Sequence, residues 1–366
     1  MGRVVLVTGV SREVGSRFVR RLVTDPRVDR VIGVDVVPPR ADLGAVSFVR
    51  ADIRNPVIAK VIAGQDVDTV VHLSVQSGAD ADARRGTSRS STKEHNVIGS
   101  MQLLAACQKA PGLRRFVVKS SSAVYGSSSR DPAMFTEEMG AKQLPRSGYA
   151  KDVLEVEGYV RGFARRRPDV EVTTLRTASS IGPGVSSSVT DYFRLPVVPT
   201  VLGYDARLQF LHEDDLLGVL HHATLTGAHG TFNVAGDGVL LLSVALRRLR
   251  VPVIALPRFA LAGAGLVPRS PGIERLRAEL TGSLVFGRGL DTTRMRSVLR
   301  FAPLRSTAEA FADFAHSIDA GRSSPRPRSS DLLRLVPAQG VGRVDHRRSP
   351  ATDRAGAPGG PGRGRG

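Results

Sequence analysis

Short apolar runs of strand length alternate with helical patterns along the first 320 residues. The apolar runs lie at 3–9, 30–36, 46–52, 69–74, 115–121 and 171–177. The helical patterns lie at 14–24, 55–64, 93–109 and 149–166. Near-continuous runs of valine, isoleucine and leucine separated by helices are typical of a parallel sheet that is buried on both faces. The pattern therefore predicts an α/β fold built on a doubly wound parallel sheet.

The chain is predicted to divide into three parts. Residues 1–180 form the Rossmann-like domain, in which a nucleotide cofactor binds at the carboxyl ends of the strands. Residues 181–320 have weaker periodicity and are predicted to form a smaller C-terminal substrate lobe, interleaved with the first domain through 209–238. Residues 321–366 contain ten arginines, three aspartates and few large apolar residues, which predicts a disordered basic tail.

Composition excludes several classes of function. The net charge is +18, but it comes from 46 arginines against six lysines, which indicates a composition bias rather than a phosphate-binding surface. Nucleic-acid binding is unlikely, because the aromatic residues that stack on single strands are not interleaved with the basic ones. A single cysteine, Cys107, excludes a disulfide framework, and no metal site is predicted. No apolar stretch is long enough to span a bilayer, so we expect a cytoplasmic protein without membrane contact.

The first strand-to-helix junction, "VTGVSREVGSR", carries the first chemical signal. Gly9 and Gly15 would let the backbone approach a pyrophosphate at a helix N-terminus, although Arg12 stands at the middle position of the turn. Asp35 ends the second strand, where a carboxylate accepts the ribose hydroxyls of NAD and repels a 2′-phosphate. The junction predicts NAD binding. Taken alone, it is also compatible with an ordinary tight turn, and Asp35 with a turn cap.

Further motifs follow in a fixed order. They are "VRADIRN", "VVHLS", "EHNVIGS", "SSSAVYG", "LRTASSIGPG", "QFLHEDDL" and "GTFNVAGDG". In this order, and over about residues 1–316, the chain resembles the extended short-chain dehydrogenase/reductases, specifically the NAD-dependent epimerase/dehydratase family that includes UDP-glucose 4-epimerase. The resemblance implies a nucleotide-sugar ligand and a possible homodimer formed through helices at about 93–109 and 149–166.

The resemblance also implies which residues form the sites. The implied cofactor-binding residues are Gly9, Ser11, Arg12, Glu13, Val14, Asp35, Asp52, Ile53, Leu73, Ser74, Asn96, Ser120 and Lys151. Ser121 stands at the position of the catalytic hydroxyl.

The stretch "RSGYAKDVLE", residues 146–155, departs from the family pattern. In the family a tyrosine precedes a lysine by four residues, so both share one helix face, and the cation lowers the pKa of the phenol from about 10. Lys151 is followed by Glu155 as in the family, which puts Ser147 at the tyrosine position. Tyr149 lies about 200° around the helix from Lys151 and faces away, unless the helix begins later than expected.

Two functions follow from this departure. The first is an NAD-dependent epimerase or dehydratase-like oxidoreductase that acts on a nucleotide-sugar, with Ser121 polarising the substrate and an unconventional base. The second is a catalytically silent protein that binds NAD or a nucleotide-sugar. Loss of the tyrosine at Ser147 favours the second, whereas the survival of the other motifs favours a retained ligand.

Overall fold

The computed structural model describes residues 3–76, 89–145, 148–257 and 282–321. All of them belong to one compact unit, Met1–Arg326. The predicted tail, from residue 322 onward, and Ser147 lie outside the described residues. The division of the chain at residue 180 stays a prediction.

Seven parallel strands form the large sheet, because valine-rich runs can bury both faces only between two layers of helices. The strands are β1 (Arg3–Thr8), β2 (Val28–Asp35), β3 (Val46–Arg50), β4 (Thr69–His72), β5 (Arg115–Ser121), β6 (Glu171–Thr177) and β11 (Gly230–Val234). Their order in the sheet is β11-β6-β5-β4-β1-β2-β3. The predicted α/β fold with a doubly wound parallel sheet is confirmed, and all six predicted apolar runs are strands of this sheet.

After β1 the chain adds β2 and β3 on one side of it, and then crosses to the other side to add β4, β5 and β6. The strand order therefore reverses between β1 and β4. In open α/β sheets the crevice at such a reversal, outside the carboxyl ends of the strands, is where ligands bind. The segments that follow Thr8 and His72 therefore lie at the place where a cofactor is expected.

Helices cover the sheet. They are α1 (Glu13–Leu22), α2 (Val57–Gly64), α3 (Arg89–Lys93), α4 (Gly99–Gln108), α5 (Gly148–Arg166), α6 (Ser188–Phe193), α7 (Glu213–Thr226), α8 (Leu242–Leu249), α9 (Thr293–Ser297) and α10 (Thr307–Gly321). The predicted helix at 93–109 is interrupted by a π-helical turn, Glu94–Ile98, which the apolar periodicity does not reveal. Within the described ranges, no helix has the length and apolar character needed to cross a membrane.

The smaller C-terminal lobe has its own hydrophobic core. Phe193, Phe210, Phe311 and Phe314 pack there, with the rings of Phe193 and Phe311 5.1 Å apart. Short strands accompany this core: β7 (Ser179–Ile181), β8 (Val198–Val201), β9 (Arg207–Leu208), β10 (Phe210–His212), β12 (Leu240–Leu241) and β13 (Val253–Leu256). This second core is built mainly from α6, α8 and α10 together with short strands, whereas the main core lies against the large sheet.

Candidate functional site

The turn between β1 and α1 fits a bound pyrophosphate. Gly9 adopts φ +82°, and a Cβ at this position would lie 3.0–3.1 Å from the backbone of Leu73 and Ser74. A Cβ on Gly15 would lie 2.1 Å from the carbonyl oxygen of Gly9. Arg12 is the residue before α1, and its side chain does not cap the helix. The first backbone N–H groups of α1, those of Glu13 and Val14, therefore receive no hydrogen bond from that side chain. This arrangement suits an anionic ligand, because the N-terminus of a helix attracts negative charge.

The same turn is fixed to the end of β2. The carboxylate of Asp35 accepts the N–H of Ser11 at 3.0 Å and the N–H of Val36 at 2.8 Å. The hydroxyl of Ser11 donates to the carbonyl oxygen of Val37. Each carboxylate oxygen has a second lone pair, so Asp35 can still accept a ribose hydroxyl. The predicted residues Gly9, Ser11 and Asp35 are thus brought together.

Asp52 and Ile53 lie beyond β3, beside the π-helical turn. Burial opposes ionisation of Asp52, but hydrogen bonds from Arg54 outweigh it and hold the pKa of Asp52 below its ordinary value. Burial, followed by the charge of Arg12, lowers the pKa of His95, so this imidazole is neutral near pH 7. The charges of Arg12, Asp35 and Asp52 all act on His95, so these three residues lie near one imidazole.

The end of β4 is held by Asn96, which lies in the π-helical turn. Its side chain accepts the N–H of Gln76 at 2.8 Å and donates to the carbonyl of Gln76 at 2.9 Å. It also donates to Asp152 of α5 at 3.1 Å. Asn96 thus connects the segment that carries Leu73 and Ser74 to the first turns of α5. π-Turns inside helices occur often at functional sites.

The end of β5 contacts α5 through a buried ion pair. Glu157 lies 2.7 Å from Nη2 of Arg176, and both side chains are at most 10% exposed. The hydroxyl of Ser120 also donates its proton to Glu157, and its place beside the cofactor stays a prediction. The next residue, Ser121, is only half-buried, and its hydroxyl accepts the N–H of Ala123 at 3.2 Å. Of these two serines, Ser121 offers its side chain to the carboxyl edge of the sheet.

Helix α5 is described from Gly148, which adopts φ +77°, one residue before the predicted helical pattern at 149–166. Tyr149 packs against the main hydrophobic core. Lys151 instead has a side chain that is 41% exposed, with its Nζ 3.7 Å from Glu155. Tyr149 and Lys151 leave the helix in nearly opposite directions, because they are two residues apart; the position of Lys151 beside the cofactor stays a prediction.

A half-open cleft, with a cavity volume of about 60 Å³, lies between the end of β5 and the C-terminal lobe. Arg207 and Arg288 line it, together with Ser122 and Ser179. The guanidinium of Arg288 donates to Ser127 at 3.0 Å, but its buried Nε has no hydrogen-bond partner among the described residues. Burial lowers the pKa of Arg288 to about 10, so the group is still a cation at neutral pH.

Sequence reasoning missed Arg288, Glu157 and Asp152. One arginine among 46 gives no local signal, and the role of Arg288 depends on a chain reversal that brings residue 288 to residues 122 and 127. Glu157 could have been found, since it lies eight residues after Tyr149 and so shares its helix face.

Comparison with known proteins agrees with these features. Residues 5–235 match the NAD dependent epimerase/dehydratase family. An uncharacterized protein of Mycobacterium tuberculosis is 48% identical over 317 residues, which cover 85% of this chain and 83% of the relative. UDP-glucose 4-epimerase 2 of Oryza sativa is 29% identical over 194 residues, 49% of this chain and 45% of that protein.

Solved structures show the same fold. The UDP-glucose 4-epimerase of Thermotoga maritima with UDP-glucose superposes with a TM-score of 0.66 at 20% identity, covering 87% of this chain and all of that one. The UDP-glucuronic acid 4-epimerase of Bacillus cereus, in complex with UDP-glucuronic acid and NAD, also gives 0.66, at 18% identity, over 87% of this chain and 99% of that one. Because this family match spans more than half of the sequence, the chain belongs to the NAD-dependent epimerase/dehydratase family.

Proposed function

We propose that this chain binds NAD at the turn after β1 and a nucleotide-diphosphate sugar in the cleft beside Arg288, as an oxidoreductase of the epimerase or dehydratase kind. Family membership supports the cofactor and the general reaction. The structures with the same fold include complexes with UDP-glucose and with UDP-glucuronic acid and NAD, which supports the class of substrate.

The observation that carries the substrate class is Arg288. A buried guanidinium with an unpartnered Nε is costly unless a ligand completes its hydrogen bonds. Arg207 brings a second positive charge to the same cleft, whereas Asp131 is the carboxylate whose charge acts on Arg288. Two arginines in a half-open cleft fit a diphosphate, since guanidinium groups bind phosphate oxygens in pairs.

Bound NAD would supply an acceptor for hydride from a sugar carbon. The residues of this chain would position the sugar: the hydroxyl of Ser121, at the edge of the sheet, can donate to an oxygen of the substrate. In the proposed arrangement Gly9, Ser11, Asp35, Asp52 and Ile53 hold the cofactor. Leu73, Ser74 and the backbone at Arg12, Glu13 and Val14 complete its surroundings.

Calorimetric titration with UDP-glucose, UDP and NAD tests this proposal. We expect wild-type protein to bind all three, and Arg288→Met to weaken UDP and UDP-glucose about 10- to 100-fold, the value of hydrogen bonds to a charged group. NAD affinity should stay within about twofold. Arg161→Met, at a solvent-exposed position on α5, is the matched control and should change neither affinity. Equal UDP binding by wild type and Arg288→Met would contradict the proposed cleft.

A second function, the catalytically silent binding protein, is favoured by one observation. The residue four places after Tyr149 is Val153 and not a lysine. The side chain of Lys151 is 41% exposed and lies near Glu155. The two functions share the same ligands and differ only in turnover. Incubation with UDP-glucose and NAD, followed by separation of the hexoses and measurement of reduced nicotinamide, distinguishes them.

The possible homodimer also belongs to this proposal. Helices α4 and α5 pack on each other and leave Ile98, Met101 and Tyr159 about 40% exposed. A second copy of the chain would cover these apolar side chains. Light scattering should then give twice the mass of one chain for wild type and less for Ile98→Lys, whereas a wild-type monomer would exclude the dimer.

A further inference from the structure

Arg207 and Arg288 line a second cavity as well as the cleft, and this cavity supports an inference that rests on the proposed function and names the nucleotide. We propose that the second cavity holds the base of the nucleotide-sugar, and that Asp131 selects guanine through the adjacent N–H donors of its N1 and 2-amino groups. The preferred ligand is then a GDP-sugar, and UDP-sugars bind the same site less tightly.

The backbones of the two arginines are paired. The N–H of Arg288 donates to the carbonyl oxygen of Arg207 at 3.0 Å. Gly287 adopts φ +68°, and a Cβ at this position would lie 2.3 Å from the same oxygen. A residue with a Cβ would therefore push the two segments apart. This close pairing places two guanidinium groups on neighbouring backbone positions, where one diphosphate can be bound by both.

The two cavities lie at different ends of such a ligand. The cleft includes Ser122 and Ser179, which follow β5 and β6 at the carboxyl edge of the sheet. The second cavity has a volume of about 110 Å³ and is lined, besides the arginines, by Ser128, Ser129, Asp131, Pro132 and Phe286. A nucleotide-sugar carries its diphosphate between the sugar and the nucleoside. With the diphosphate on the shared arginines and the sugar beside β5, the nucleoside lies towards the second cavity.

Asp131 gives this cavity a buried hydrogen-bond acceptor. Its Oδ2 accepts the N–H of Ser128 at 2.7 Å and thereby closes a turn. Its Oδ1 is buried and has no hydrogen-bond partner among the described residues, and the same holds for Nε of Arg288, so these two atoms are not bonded to each other. Because a buried acceptor without a donor is costly, Oδ1 marks a position where a ligand donor is expected.

The bases differ in what they offer to a carboxylate, which only accepts hydrogen bonds when ionised. Guanine presents the N–H of N1 next to its 2-amino group, so two donors face two oxygens. Oδ2 of Asp131 keeps a second lone pair for this purpose. Uracil presents one N–H between two carbonyl oxygens that repel a carboxylate, and adenine and cytosine present one amino group beside a ring acceptor. Guanine is therefore the complementary base.

Calorimetric titration of NAD-saturated protein with GDP, UDP and IDP tests the inference, since saturation leaves only the cleft to the diphosphates. We expect wild type to bind GDP about 10-fold or more tightly than UDP, the value of hydrogen bonds to a charged group. IDP lacks only the 2-amino group of GDP and should bind about 10-fold more weakly than GDP. This comparison uses wild-type protein and does not depend on the folding of a variant.

Asp131→Asn is the decisive variant. The amide keeps an oxygen for the N–H of Ser128, and its edge of one donor and one acceptor matches uracil better than guanine. The preference for GDP over UDP should fall to within about threefold. Asp42→Asn is the matched control, because Asp42 is an exposed turn aspartate that accepts the N–H of Gly44 at 2.9 Å. It should keep the wild-type preference.

Two failures are distinguishable. Wild-type protein that binds UDP as tightly as GDP would overturn the inference and leave the proposed function standing. Equal affinities for IDP and GDP, or an unchanged GDP preference in Asp131→Asn, would do the same. Absent binding of all three diphosphates by NAD-saturated wild type would instead contradict the proposed cleft, and the inference with it.

Discussion

The turn after β1 and the first turns of α5 both lie at the carboxyl edge of the sheet, yet they depart from the family pattern with different consequences. The turn has Arg12 at its middle position, but Gly9 and Gly15 keep the backbone path that a pyrophosphate needs. Helix α5 keeps a tyrosine and a lysine, but places them on opposite faces. The glycine turn departs from the family sequence but keeps the backbone geometry that a pyrophosphate needs. Helix α5 keeps a tyrosine and a lysine but not the spacing that would put them on one face.

The difference follows from what does the binding in each region. At the turn, backbone N–H groups and the absence of two Cβ atoms create the site, so the site does not depend on which side chain stands at position 12. At α5, two side chains must share a face at a spacing of four residues, whereas Tyr149 and Lys151 are only two residues apart. Backbone-built sites therefore tolerate sequence change better than sites built from paired side chains.

The largest effect should come from Glu157→Gln, which tests the rotation of α5 on which the comparison rests. It leaves the buried Arg176 without its anion, and loss of one partner from a buried pair costs about 3–5 kcal/mol of unfolding free energy. Urea unfolding measures this. Glu155→Gln, two residues away on the outer face, is the matched control and should change the free energy by less than about 0.5 kcal/mol. Equal effects of the two substitutions would mean that the helix is rotated differently.

The fold was largely predictable because continuous apolar runs can satisfy both faces of a buried strand in few other ways. Strand β11 in the large sheet was less visible, since "GTFNV" is short and mixed in polarity. At the site, Asp35 was predicted from its place at the end of an apolar strand, and Ser121 from the resemblance to the family. Asp152 and Arg288 were not, because a buried carboxylate and a distant arginine acquire their roles only when helix packing and chain reversal bring them to the site.

An intermediate effect is expected at the turn itself. Gly15→Ala adds a Cβ 2.1 Å from the carbonyl oxygen of Gly9, so the helix must move away from the turn. We expect NAD affinity to fall about 100-fold, because displaced N–H groups no longer meet the pyrophosphate. Calorimetry measures the loss.

Gly64→Ala is the control for the turn. It lies at the end of α2, where an added Cβ meets nothing within 4 Å, and it should leave NAD binding unchanged. Retained NAD affinity in Gly15→Ala would show that the cofactor does not bind at this turn. The claim that the turn keeps a backbone-built binding site would then be wrong.

The smallest effect should come from Lys151→Ala, and its smallness is the point of the experiment. A lysine that held a nicotinamide ribose would lose about 1.5–3 kcal/mol of binding when truncated, roughly a 10- to 150-fold weaker NAD affinity. In this structure Lys151 makes only a half-exposed pair with Glu155, 3.7 Å away, among its described partners. Surface pairs of this kind contribute about 0–1 kcal/mol. We therefore expect NAD affinity within about twofold of wild type and an unchanged melting temperature, with Lys142→Ala as a solvent-exposed control. A tenfold loss of NAD affinity at unchanged stability would show that Lys151 contacts the cofactor. Ser147 would then stand at the position of the family tyrosine. The contrast between the turn after β1 and the first turns of α5 would no longer hold.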